Sequence, residues 1–272
     1  MSTLPALRWM LWREYLDQRQ NRMLWPIYLL MPLIGAALPA LLVAGSAALL
    51  SDAAGKADPQ LASLLSLVRM FAKMQGIALE EATALIVLRA SAGYFLLMPL
   101  AIVAVAGAYA IVGEKQQRTL EPVLATPIST SQFLLGKLLA VVLPATLVSY
   151  IAALIGALAA VVSFYLSHAL LIWPDEFYFI AAFVLGPQIG TITALVCLRV
   201  SARMQDPQAA NQMTALILVP ALLLVFSLIG PFIVLNLTAL LASCTLGLVA
   251  CIGLFYWVKR GFNREEILCR WR

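Results

Sequence analysis

The sequence predicts an all-α integral membrane protein with six transmembrane helices, and two observations lead to this fold class. First, 63% of the 272 residues are apolar and only 11% are charged, whereas a soluble globular domain carries roughly 25% charged residues. Second, six apolar runs are each long enough to cross a bilayer, which takes about 20 residues in a helix. A transmembrane β-barrel would instead alternate apolar and polar residues in runs of about ten, and the sequence has no such runs.

The six predicted spans leave short connections between them and one longer external loop. Backbone groups in the bilayer core must hydrogen-bond to one another, so each apolar run is predicted to be a helix. No internal repeat or linker interrupts the sequence, and residues 1–272 are therefore interpreted as a single transmembrane domain. The spans are predicted at about residues 24–50, 94–112, 133–162, 177–198, 213–230 and 232–258.

The basic residues predict that both termini are cytoplasmic. With the N-terminus inside, all but four of the 18 Lys and Arg residues fall in cytoplasmic segments, as the positive-inside rule requires. The four exceptions share the external loop with several acidic residues; they are Lys56, Arg69, Lys73 and Arg89. Because the remaining basic residues lie where anionic lipid headgroups attract them, the net charge of +5 does not indicate a nucleic-acid partner.

Residues 1–23, before the first span, are predicted to form an amphipathic helix in the membrane interface. Leu4, Leu7, Leu11 and Tyr15 share one stripe, and the mixture of Trp and Arg suits the headgroup region. After the first span, residues 51–93 form the external loop, in which the helical spacing of apolar residues breaks at Gly76 and then begins again. Two short amphipathic helices are expected there, forming either a solvated cap or a gate.

The connection between the second and third spans is polar and contains several short motifs. They are Glu114, Thr119-Leu120-Glu121, Leu124-Ala125-Thr126-Pro127 and Gly136-Lys137. In their order and spacing, these motifs resemble the signature of ABC-2 type transporter permeases. Either Thr126 or Ser129 can cap a short helix in this connection. Gln132 follows Ser129 at the spacing of a capping box, and Pro127 suits the first turn of a helix. A short, capped and rigid helix is therefore predicted in this connection.

The resemblance implies that this helix, at about residues 120–131, is a cytoplasmic coupling helix that docks on an ATP-binding subunit. It also implies secondary contacts with that subunit from Arg13 and Glu14 in the N-terminal helix. Arg203 and Asp206, in the second cytoplasmic loop, are expected to make similar contacts. The residues expected to couple the chain to the ATPase are Glu114, Thr119, Leu120, Glu121, Leu124, Thr126, Pro127, Gly136 and Lys137.

The sequence lacks the residues of a nucleotide site or a self-powered carrier. It has no Gly-x-x-x-x-Gly-Lys-Ser/Thr motif, so ATP and Mg²⁺ are expected on a partner chain, and this chain is expected to be neither an enzyme nor a cofactor-binding protein. Its spans carry essentially no charge at mid-depth, which argues against a secondary carrier. Gln188 and Asn236 are weak candidates for lining a pathway. His168, Asp175 and Glu176 are too few and too loosely placed to predict a metal site.

Taken together, the resemblance implies the transmembrane permease subunit of an ATP-binding cassette exporter in the bacterial cytoplasmic (inner) membrane. Six spans are half of such a pathway, so two permease copies, forming a homodimer, or one copy together with a relative, are expected to pair with two ABC ATPase subunits. The uncharged spans favour an apolar or amphiphilic cargo. Two alternatives stay open: a multi-span scaffold or assembly factor that transports nothing, and a stand-alone secondary carrier.

Overall fold

The computed structural model describes residues 11–16, 18–19, 24–55, 59–116, 129–204, 206, 208–210, 212–216 and 237–261. Over these ranges the chain is helical and contains no strand. An N-terminal helical segment (residues 11–16, 18 and 19) precedes the long helices, and a π-helical turn, Ala181–Leu185, joins α5 to α6. The helices are α1 Trp25–Gly55, α2 Pro59–Gln75, α3 Leu79–Gln116, α4 Thr130–His168, α5 Glu176–Ile180, α6 Gly186–Ser201 and α7 Leu237–Arg260.

Five segments among the described residues are long and apolar enough to cross a membrane. They correspond to the predicted spans one, two, three, four and six, which confirms an all-helical, multi-pass membrane protein. The predicted fifth span, 213–230, lies outside the described residues except for residues 213–216, which belong to a helical stretch at 212–216. The five segments are Trp25–Ser46, Leu79–Glu114, Thr130–His168, Glu176–Ser201 and Leu237–Arg260.

The prediction of a second, separate short helix in the external loop is wrong. Gly76, whose φ is +67°, forms the break after α2. Residues 79–116 then form one continuous helix. The first turns of α3 are held by packing, since Ala82, Ala84 and Leu88 are buried. The loop predicted to be external therefore consists of α2 and the first turns of the second span itself.

Two pairs of spans approach closely, and in each pair a proline and a glycine face each other. In α1, Pro39 has no N–H to donate to the carbonyl of Gly35. Gly156 of α4 lies against that carbonyl, so closely that a Cβ on Gly156 would stand 2.9 Å from the oxygen. Only a residue without a side chain fits there, which brings the backbones of α1 and α4 together.

The same arrangement occurs between α3 and α6. Pro99 leaves the carbonyl of Phe95 without its helical donor, and a Cβ on Gly186 would lie 3.2 Å from that oxygen. Nearer the other end of this pair, the Ser201 hydroxyl donates to the carbonyl of Ala108 at 2.9 Å and accepts from the Val112 N–H at 3.0 Å. This side chain fixes the turn of α3 that comes just before Glu114.

Candidate functional site

The start of α4 is set by a capping box. Ser129 accepts a hydrogen bond from the backbone N–H of Gln132 at 3.3 Å, and the Gln132 side chain accepts one from the N–H of Ser129 at 2.9 Å. The predicted capping box therefore exists, but it begins the third span and not a separate short helix. It fixes the first turns of α4, on which Phe133, Gly136 and Lys137 are buried.

Lys137 is the most deeply buried charged side chain of the described residues, with 1% of its surface exposed. Its Nζ lies 3.0 Å from Oε1 of Glu114, which stands in the last turn of α3 and is 6% exposed. A carboxylate at the C-terminal end of a helix is unfavourable beside the negative end of the helix dipole. The ammonium group of Lys137 offsets that charge and joins the end of α3 to the beginning of α4, on either side of residues 117–128.

The N-terminal helical segment completes the site. Glu14 is buried and forms an ion pair with Nζ of Lys137, and Nη2 of Arg13 lies 3.3 Å from Oε1 of Glu114. The four side chains alternate in charge and together carry no net charge. Each buried ion costs several kcal/mol of solvation on its own, so the set is stable only while it is fully paired. We call Arg13, Glu14, Glu114 and Lys137 the ion cluster.

A further residue of the N-terminal segment also contacts α4. The Nε2 of Gln18 donates to the carbonyl of Ala140 at 2.9 Å, and the hydroxyl of Tyr28 donates to its Oε1 at 3.3 Å. Gln18 was not among the residues predicted from the sequence. The available signal was Pro144, which lacks the N–H that would otherwise bond to the carbonyl of Ala140.

Of the remaining predicted ATPase contacts, the structure describes Arg203 and Asp206. Both are exposed on the turn that follows α6. Asp206 accepts a hydrogen bond from the N–H of Ala209 at 2.9 Å and so caps the helical turn that begins at residue 208. The other predicted site residues lie outside the described residues; they are Thr119, Leu120, Glu121, Leu124, Thr126, Pro127 and Asn236.

Gln188, predicted as a pathway residue, lies where α6 meets α7. It is 7% exposed, and its Oε1 is so close to Gly247 that a Cβ on that glycine would stand 2.2 Å away. Its backbone carbonyl accepts from Sγ of Cys251 at 3.5 Å. A buried amide at a helix–helix contact is compatible with a role in a pathway that opens when these helices separate; that role stays a prediction.

At the opposite end of the bundle, Arg89 of α3 and Asp175 form an ion pair. The guanidinium carbon of Arg89 also lies 4.9 Å from the ring centre of Phe71 and 5.1 Å from that of Phe177. Asp175 in addition caps α5, accepting from the N–H of Tyr178 at 3.2 Å. We call Arg89, Asp175, Phe71 and Phe177 the outer clamp, after the predicted external loop. The clamp ties the α2–α3 hairpin to the start of α5.

His168, at the end of α4, stacks on the ring of Phe164 with 4.4 Å between centroids. Its Nε2 lies 3.9 Å from a carboxylate oxygen of Glu80. Asp175, which the sequence analysis considered beside it, is committed to Arg89. Within the described ranges, no group of three or more His, Cys, Asp or Glu side chains is placed to hold a metal ion.

The sequence profile of a family described as "ABC-2 family transporter protein" matches residues 8–256. The match covers the N-terminal segment, the connection bracketed by the ion cluster, and all five of the described membrane-crossing segments except the last turn of α7. The chain has no match among curated proteins.

Proposed function

The chain belongs to the ABC-2 family of transporter proteins, and we propose that it is the permease subunit of an ATP-binding cassette exporter, driven by a separate ATPase. The family and the long apolar helices identify the chain as a multi-pass membrane transport component. Members of the family generally work with an ABC ATPase. In the proposal, ATP and Mg²⁺ bind to that partner and this chain forms the path for the cargo.

The observation that carries the proposal is the ion cluster. Residues 117–128, which hold most of the family-like motifs, are flanked by Glu114 and Lys137, and these two side chains are joined to each other and to the N-terminal segment. A push on the connection would therefore reach the second span, the third span and the N-terminal segment together. An ordinary hairpin connection would need no such buried and charged joint.

Around this joint, the proposal assigns the docking contacts to Leu120, Glu121 and Leu124, on the cytoplasmic side of the bacterial inner membrane. The exposed residues Arg203 and Asp206 are proposed to add secondary contacts. Arg13 and Glu14 then act mainly through the ion cluster, by holding the N-terminal segment against the connection. Two permease copies and two ATPase subunits complete the exporter, with Gln188 and Asn236 facing the pathway.

The proposal is tested by co-expression with the candidate ATPase and measurement of binding after detergent extraction. Leu124→Arg places a charge where an apolar docking contact is proposed, and central apolar contacts of an interface are each worth about 2 kcal/mol or more. Binding to the ATPase should therefore weaken by at least about 30-fold, and Glu121→Lys should misalign the complex and lower coupled ATP turnover.

The matched control is Gln188→Leu, which lies away from the connection and should keep the ATPase bound. If the wild-type protein binds no ATPase after extraction, the exporter proposal is wrong, and a membrane scaffold without transport becomes the better hypothesis. If Leu124→Arg binds and stimulates the ATPase like wild type, the 117–128 connection is not the coupling element.

A further inference from the structure

In α1, α3 and α4, the interior prolines Pro39, Pro99 and Pro144 each lack the N–H that would bond to the carbonyl four residues earlier. In α1 and α3 that carbonyl faces a glycine of a neighbouring span. In α4 the proline is Pro144, and the carbonyl is that of Ala140. The carbonyl of Ala140 differs from the other two because it accepts a hydrogen bond from the side chain of Gln18, at 2.9 Å.

The Gln18 amide is held at both ends. Its Nε2 donates to Ala140 of α4, while its Oε1 accepts from the hydroxyl of Tyr28 in α1 at 3.3 Å. These two bonds also fix the orientation of the Gln18 amide. The carbonyl of Ala140 can only accept a hydrogen bond, so the NH₂ group of Gln18 must face it. One side chain therefore links the N-terminal segment to two membrane-crossing helices.

Gln18 and Glu14 together form a two-point attachment to α4. They are four residues apart on the N-terminal segment, and their partners Ala140 and Lys137 are three residues apart on α4. Both spacings place side chains on one face of a helix. The N-terminal segment thus lies along α4 from the ion cluster to the carbonyl exposed by Pro144.

A helix interior is weakest where proline removes a backbone hydrogen bond, and sharp bends occur there. Here the missing bond is replaced by one from another element. From this arrangement we propose that Gln18 is a positioning residue that makes α4 bend at Pro144 in step with the movement of the N-terminal segment. The inference rests on the proposed function, because that movement is taken to come from a docked ATPase.

Through this arrangement, a movement of the 117–128 connection would be passed along α4 to the middle of the membrane. The part of α4 before Pro144 carries Lys137 and moves with the ion cluster, while the part after Pro144 packs on α1 through Gly156. When the N-terminal segment shifts, the bond from Gln18 to Ala140 is strained or released, and the angle between the two parts of α4 changes.

The test compares Gln18→Leu with and without Pro144→Ala. Alanine at position 144 restores the N–H that bonds to the carbonyl of Ala140, so the bond from Gln18 becomes redundant. Spin labels at the exposed positions Leu135 and Leu154 lie on either side of Pro144 and would be about 28 Å apart in a straight helix. Their distance is measured by pulsed electron resonance in a cysteine-free background, in the reconstituted complex with its ATPase, with ADP and with a non-hydrolysable ATP analogue.

In the wild-type complex the label distance should change with nucleotide, and Gln18→Leu should reduce that change by at least half. In the Pro144→Ala background, Gln18→Leu should have no further effect. Leu16→Ala, an exposed position on the same segment, is the matched control and should behave as wild type.

Two results would overturn the inference while leaving the proposed function intact. One is a bound ATPase with no nucleotide-dependent change across Pro144. The other is an effect of Gln18→Leu that is as large with Ala at position 144 as with Pro, which would show that Gln18 acts elsewhere. If no ATPase binds to the wild-type protein, the proposed function fails and the inference fails with it.

Discussion

Lys137 shows how strongly a single residue can depend on its partners. Its ammonium group is almost fully buried and lies between the carboxylates of Glu14 and Glu114. Replacing it by Met would leave two carboxylates facing each other, and breaking a buried ion pair in this way costs about 3–5 kcal/mol. We therefore expect Lys137→Met to lower the unfolding temperature in detergent clearly, measured by fluorescence-detected size-exclusion chromatography after heating.

The same measurement separates charge balance from packing. In the double variant Lys137→Met with Glu14→Gln, one of the stranded carboxylates is neutralised, so part of the stability should return. An unfolding temperature for Lys137→Met equal to that of wild type would mean that the ion cluster does not hold the N-terminal segment in place.

A second residue-scale prediction concerns Asp175, which has two roles that different substitutions separate. Asn can still cap a helix, so Asp175→Asn should lose only the ion pair with Arg89. Asp175→Ala should lose both roles and be less stable than the Asn variant by about 1 kcal/mol. Thermal unfolding of the two variants checks this; equal stability would show that the cap on α5 contributes nothing.

At the scale of single residues, the sequence identified the members of the ion cluster but not their arrangement. Arg13, Glu14, Glu114 and Lys137 were all predicted to contact or couple to an ATPase, and the structure joins them to one another. Glu14 and Lys137 are separated by 123 positions in the sequence, and no local pattern reveals which side chains meet across such a distance. The same reason explains why the pair of Arg89 and Asp175 was not foreseen.

Among the helices, the close contact of α1 with α4 leads to a prediction about glycine. A Cβ at Gly156 would stand 2.9 Å from the carbonyl of Gly35, so Gly156→Ala must push the two helices apart. Overpacking of this kind costs about 1–3 kcal/mol. The matched control is Gly253→Ala in α7, where a Cβ would meet nothing within 4 Å. Thermal unfolding should show a loss for the first variant only.

The predictability of the helices follows from what a bilayer demands. Long apolar runs had to be helices, and the first four spans and the sixth are found near their predicted places. Their ends were less predictable, because the outer part of α3 is amphipathic and only packing shows that it continues the second span. The π-helical turn at Ala181–Leu185 was also not predicted. A continuous run of apolar residues does not show where one turn of a helix contains an additional residue.

For the whole molecule, the orientation in the membrane is the main prediction. Ser131 and Arg203 lie at the end of the bundle that carries the ion cluster, and Leu171 lies at the end that carries the outer clamp. Because basic residues favour the cytoplasm, single cysteines at the first two positions should react with membrane-impermeant reagent only in inverted vesicles. A cysteine at position 171 should react in intact cells, and the reverse pattern would overturn the predicted topology.

The π-helical turn has a consequence for the relation between the two ends of the molecule. A regular helix advances by about 100° per residue, so one additional residue in the turn rotates everything before it by that angle relative to everything after it. Asp175 and Phe177 precede the turn and reach the outer clamp, whereas Gly186 and Gln188 follow it and face α3 and α7. Deleting a single exposed residue such as Val184 would therefore act as an angular phase shift: the span could stay intact, but either its outer anchor or its inner contacts would point the wrong way.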